Sequence, residues 1–217
     1  MLNLPAATVY NKRIPKQTLY EHLAVKPELK RVFIEQISAI TWANKLAATT
    51  LNLAPGQTVT EVEVFEIQVN QQHLDMRVLQ LIDRAIPYHV LYLLRHGGQV
   101  QAWIGYKQQS LTNAETYKVN AYYHTPWLAE DALALTLDGL NMDTVYEGFL
   151  RQIAGDALNA AAPGEDLQTA IERNTRRQKL QKQITQLETR VRNERQFNRQ
   201  MELNAELKKL RIELIEL

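Results

Sequence analysis

The stretch 62–123 constrains this chain more than any other, because it holds the parts of a sheet-based core in order. Val62, Val64, the run Phe65-Glu66-Ile67 and Val69 alternate as a strand with one buried face does. Leu74, Val78, Leu81, Ile82 and Ala85 then recur at helical spacing until Pro87 stops the helix. Residues 89–94 turn through His96-Gly97-Gly98 into 100–106, and a Gly-Gly pair between two apolar runs is a hairpin signal. A last strand pattern reaches Tyr123. Strand, helix, hairpin and strand can bury one another. The expected class is therefore α+β, with a mixed or antiparallel sheet and flanking helices.

Ahead of this stretch, residues 1–13 read as extended. Pro15 and Pro27 each supply a preset first-turn residue for a helix. The first helix is short and runs to Leu23. From the second, Leu29, Val32, Phe33, Ile37, Ile40, Trp42 and Leu46 read as one helix with a broad apolar face. Behind the stretch, the run 132–137 (ALALTL) fits strand or helix. Asn141 or Asp143 then caps a helix over 144–154 that turns Val145, Phe149, Leu150 and Ile153 inward.

The run 160–164 (AAAPG) marks a boundary, dividing a globular domain over 1–160 from a helical arm over 166–217. The arm contains neither Pro nor Gly, and Phe197 is its one aromatic residue. Leu180, Ile184, Leu187 and Val191 follow the spacing of a coiled-coil seam, as do Leu203, Leu207, Leu210, Leu214 and Leu217. The two seams are out of register, and the slip falls in the polar run 192–199. Either one helix continues through a stutter, or the chain bends and its halves pack together. Lack of Gly and Pro favours continuity. In either case the leucines need cover from a second helix: the arm itself, a second copy, or another protein.

A net charge of +1 on 217 residues carries no global signal for nucleic acid or for an acidic partner. Charge is nonetheless segregated along the arm, where Arg190, Arg192 and Arg195 form a basic stretch able to follow phosphates or simply to keep a helix face wet. There is no cysteine, which excludes disulfides and thiolate chemistry. No run approaches the roughly 18 apolar residues of a membrane helix, and no leader pattern opens the chain, so the expected location is cytoplasmic, without membrane contact.

Candidate chemistry is sparse. His22, His73, His89, His96 and His124 show no metal-ligand spacing; only His124, between Tyr122-Tyr123 and Trp127, has an unusual aromatic setting. Glu63 and Glu66 on a strand, with Lys107 at the end of a later one, superficially match the scattered carboxylates and lysine of a metal-dependent nuclease. The loop of Asp138, Asn141 and Asp143 around Gly139 is better explained by helix capping than by calcium. No phosphate-binding glycine motif or nucleophile elbow is present, and no cofactor is expected.

Several short runs, taken together, resemble a known family: Asn3-Leu4-Pro5, Asn11-Lys12-Arg13-Ile14-Pro15-Lys16, Glu63-Val64-Phe65-Glu66-Ile67, Ala85-Ile86-Pro87-Tyr88-His89, Gln101-Ala102-Trp103-Ile104-Gly105-Tyr106-Lys107, Tyr122-Tyr123-His124-Thr125 and Gln196-Phe197-Asn198. They resemble a bacterial family of uncharacterised proteins, domain of unknown function four-three-nine-one, over essentially the whole chain. The resemblance assigns no catalytic residue. It implies a gene neighbourhood of helicases and DNA methyltransferases in restriction or antiphage loci. The expectation is a non-catalytic adaptor whose arm, through Leu180, Ile184, Leu187, Val191, Leu203, Leu207, Leu210 and Leu214, binds a partner such as a helicase or methyltransferase, or a second copy. A divergent nuclease and a nucleic-acid binder are the alternatives.

Overall fold

A computed structural model describes residues 4–21, 25–109, 117–159 and 165–217. The chain divides into two units, Met1–Gly155 and Asp156–Leu217.

The first unit is built on a seven-stranded sheet. Its strands are β1 (Val9–Arg13), β2 (Ile37–Ala47), β3 (Glu61–Val69), β4 (His89–His96), β5 (Gln99–Gln109) and β6 (Tyr117–His124), lying side by side in chain order. β7 (Leu128–Ala129) adds to β5 beyond β6. Only β3 and β4 are parallel, because α4 (Met76–Ala85) intervenes and returns the chain to the same end. The sheet is thus mixed, as expected of the α+β class. Gly97 and Gly98, at φ 55° and 77°, make the tight β4–β5 turn, a left-handed pair that side chains resist.

The helices α1 (Lys16–Glu21) and α2 (Pro27–Gln36) share one face of the sheet with α4. Phe33, Phe65, Ile67, Val78, Ile82, Tyr92 and Leu94 are buried together there. α3 (Ala48–Leu51) is a single turn after β2. The other face carries Val62, Val64, Leu91, Leu93 and Ile104, all buried, and α5 (Met142–Ala154) packs across β3, β5 and β6. Asn141 caps α5 by accepting from the Thr144 amide, one of the two residues named for that role.

A row of rings crosses the first face, one from each of six strands: Tyr10, Trp42, Phe65, Tyr92, Trp103 and His124. Trp42 stands opposite Phe65, Phe65 opposite Tyr92, Tyr92 opposite Trp103 and Trp103 opposite His124. Tyr10 and Trp42 lie 4.3 Å apart between centroids, and Trp103 stacks on His124 at 4.2 Å. Cross-strand aromatic pairs of this kind hold sheet register.

Two expectations are corrected. The long helix through Leu46 stops at Gln36, and Ile37–Ala47 is β2, paired with β3 along its length. Ile37, Ile40, Thr41 and Trp42 favour a pleated surface, and β3 would otherwise be an apolar edge. The run 132–137 is neither strand nor helix; the Thr136 amide is held by Gln152 Oε1 of α5.

Of the two readings of the arm, the bent one holds, although the lack of Gly and Pro favours continuity. In the second unit, α6 (Asp156–Asn159) is followed by α7 (Leu167–Asn193) and α8 (Phe197–Ile215), which fold back on each other. The bend needs no glycine because Glu194 Oε1 accepts from the Arg195 and Gln196 amides, while Gln200 Nε2 donates to the Val191 carbonyl. Asp166 caps α7, and Asn174 Nδ2 donates to the Ala157 carbonyl of α6. No helix among the described residues is long and apolar enough to cross a membrane.

Candidate functional site

The densest polar arrangement lies where the end of α4 meets β5 and β6. Lys107 extends from β5 into this corner, and its ammonium donates to the carbonyls of Asp83 at 3.0 Å, Ile86 at 2.6 Å and Tyr88 at 2.7 Å. These include the last-turn acceptors a helix leaves unpaired, so the lysine closes α4 in place of solvent. Lys16 does the same for α2, donating to Phe33 and Ile37 carbonyls. The Asp83 carboxylate stands 3.8 Å from the Lys107 ammonium and accepts from the Tyr122 hydroxyl at 2.5 Å. Burial pushes Asp83 up to about 6, against the pull of Tyr122 and Lys107. Burial likewise lowers Lys107, opposed by Asp83.

Behind them lies a second buried pair. His89 faces the Lys107 carbonyl through Nε2 at 3.3 Å and packs on the Tyr146 ring at 4.3 Å. Burial lowers the imidazole to about 4, so it is neutral at pH 7 and donates to that carbonyl. Tyr146 donates to the Gly105 carbonyl and accepts from the Lys107 amide, just past the last β4–β5 pair. An open cleft of about 170 Å³ lies outside the corner, between Gln80, Asp83 and Arg84 of α4 and Tyr117, Lys118 and Tyr122 of β6.

The residues named for a nuclease do not converge here. Glu63 and Glu66 stand three positions apart on β3 and so point to opposite faces. Glu66 pairs with Arg95 at 2.9 Å, and Arg95 also holds Glu130. Glu63 is 1% exposed, and its Oε2 accepts from the Trp42 indole at 2.7 Å. Its Oε1 takes no hydrogen bond from a neighbouring N–H or O–H group. Burial and the adjacent Glu61, which is paired with Lys45, push Glu63 up to about 8, outweighing Trp42. Glu63 is therefore a neutral acid at pH 7. Lys107 has its three donors spent on carbonyls. Among the described residues no group of three or more His, Asp or Glu side chains is placed to hold a metal ion.

His124 is exposed, held flat on Trp103, with Nδ1 donating to the Thr125 carbonyl at 2.9 Å. His22 lies outside the described residues. Asp143 accepts from the Gln57, Thr58 and Val59 amides and the Thr58 hydroxyl, so it anchors the loop before β3. These bonds hold it below the usual carboxylate range despite partial burial.

In the second unit the two leucine seams meet each other. Ile184, Leu187, Leu203 and Leu207 are buried together, with Val191, Leu210 and Leu214 packed at their margin, and Leu180 is buried as well. Arg176 pairs with Glu213 and Arg211 with Glu188, each at 2.7 Å, across the two helices. The seams named for a partner are thus spent on closing the hairpin. Arg190, Arg192 and Arg195 are exposed around its bend.

Residues 2–214 match the family described as domain of unknown function, DUF4391. The chain belongs to the DUF4391 family. No curated protein matches it, and no solved structure does.

For this DUF4391 chain, sequence reasoning found Lys107 but missed that Asp83, His89 and Tyr146 engage it and that Tyr122 donates to Asp83. One signal was present. Asp83 lies four positions after Leu79 and one after Ile82, an acid on the apolar side of α4, where an unpaired charge is not tolerated.

Proposed function

We propose that this DUF4391 protein is a non-catalytic accessory subunit that associates through its C-terminal hairpin, with restriction or antiphage machinery, a helicase or DNA methyltransferase, as the partner its family resemblance implies. One observation carries the reading. The hairpin has more apolar surface than its own closure uses: Phe197, Met201, Ile212 and Ile215 of α8 stay exposed after both seams are buried. Ionisable groups in the sheet unit support it too, since Lys107, Asp83 and Glu66 are each engaged by a structural partner.

The test is co-purification of the full chain with the products of its neighbouring genes, compared with Met201→Asp/Ile212→Asp. The expected result is a helicase or methyltransferase recovered with the native chain and lost with the variant. Mg²⁺-dependent cleavage of DNA by the chain alone, abolished by Glu63→Gln, would overturn the reading in favour of a nuclease.

A second reading, nucleic-acid binding by the tip of the hairpin, is favoured by the exposure of Arg190, Arg192 and Arg195 within one short bend. Its signature is binding that weakens steeply with salt and with alanine at the three positions. Salt-insensitive binding, or none, ends it.

A further inference from the structure

α8 carries two apolar stripes. The first, Leu203, Leu207, Leu210 and Leu214, faces α7. At about 100° per residue, Phe197, Met201, Ile212 and Ile215 fall within roughly 60° of one another, on a stripe about 135° from the first. They are 71%, 59%, 47% and 84% exposed. We propose that this second stripe is a self-association surface, on which α8 of one copy packs antiparallel against α8 of a second copy. This deepens the accessory reading and rests on the hairpin as its contact element; it names the chain itself as the occupant.

The order of residues along the stripe selects that partner. Phe197 and Ile215 stand nine positions before and after Glu206, and Met201 and Ile212 five before and six after. A two-fold axis near Glu206 therefore sets Phe197 over Ile215 and Met201 over Ile212 of the copy, twice each. A closed symmetric dimer requires such self-complementarity, whereas an unrelated partner does not. The same superposition places Lys208, whose stem can lie along the stripe with its ammonium at the rim, over the small Ala205. On one flank it brings Lys209 beside Glu202 of the copy, and Asn198 beside Glu216. Lys209 and Glu202 meet there with opposite charge, whereas a parallel pairing would turn this flank to the copy's other one and bring Lys209 towards Arg211. The contact is one helix face per copy, at the small end of specific interfaces, so a reversible dimer is expected rather than a permanent one.

The experiment is sedimentation of the full chain over a range of concentrations, with a cross-linking arm. The native chain contains no cysteine, so introduced ones report unambiguously. The expected results are a concentration-dependent monomer–dimer equilibrium, at least a tenfold weakening in Met201→Asp/Ile212→Asp with unchanged helical circular dichroism, and a disulfide formed when Phe197→Cys is mixed with Ile215→Cys. Three results overturn the proposal: a monomer at every concentration, a dimer indifferent to the double variant, or Phe197→Cys cross-linking mainly to itself. If the free chain stays monomeric yet loses a helicase or methyltransferase in the double variant, the dimer fails and the accessory reading stands.

Discussion

The sheet unit and the hairpin solve the same problem in opposite ways. In the sheet unit helices pack on both faces of the central strands, Phe33, Ile40, Leu91, Ile104 and Phe149 have no exposure at all, and even ionisable groups are taken inside and matched with partners. In the hairpin one line of side chains is buried between two helices, and the charged groups stay outside. A layered core has depth to spare for polar interiors. A two-helix seam has none, so surplus apolar residues such as Phe197 have nowhere to go but the surface.

The contrast is sharpest at Lys107. Replacing it by Met strands the Asp83 carboxylate and three carbonyls in a dry corner, and the expected loss is about 3–5 kcal/mol in urea unfolding of the sheet unit. Lys107→Met/Asp83→Asn should recover part of that loss. No loss in the single Lys107→Met variant would show that the corner is wet. Next in size is the seam: Leu203→Ala should cost roughly 2–4 kcal/mol, read as early loss of helical dichroism with the near-ultraviolet signal of the sheet unit retained. If both signals fall together, the units do not melt separately.

Acidity separates the units further. Glu63 is raised from 4.5 to about 8 in the folded chain, so the folded state keeps a proton that the unfolded chain releases. The stability this gives is full below about pH 4.5 and is lost as pH rises through 8. Asp83 adds the same sign between its ordinary range and about 6. Glu63→Gln should therefore flatten the fall in urea midpoint between pH 6 and 9 and leave hairpin unfolding untouched. An unchanged slope would show that Glu63 ionises freely. The smallest effect belongs to the hairpin's outside: Arg211→Ala breaks an exposed pair with Glu188 and should cost less than about 0.5 kcal/mol in hairpin melting.

Much of the sheet unit was legible because its strands and helices carry single, clean periods. β3, the β4–β5 turn, α4 and α5 all stand where alternation, Gly97-Gly98, Pro87 and Asn141 put them. β2 was not legible, since Leu29, Phe33, Ile37 and Ile40 satisfy a helical spacing across a boundary that only pairing with β3 enforces. The hairpin bend was hidden for a related reason. Glu194 supplies by side-chain hydrogen bonds the turn that Gly or Pro would have advertised. The corner around Lys107 depends on groups 19 to 24 residues away along the chain, and no local pattern encodes that meeting.

The ring row across the sheet has a practical corollary. Trp42 and Trp103 stand in that row and Trp127 packs beside the same core, so every indole of this chain belongs to the sheet unit. Intrinsic fluorescence is consequently blind to the leucine seam, and its emission will report the fate of the sheet alone while the helices at the far end of the chain open or close unseen.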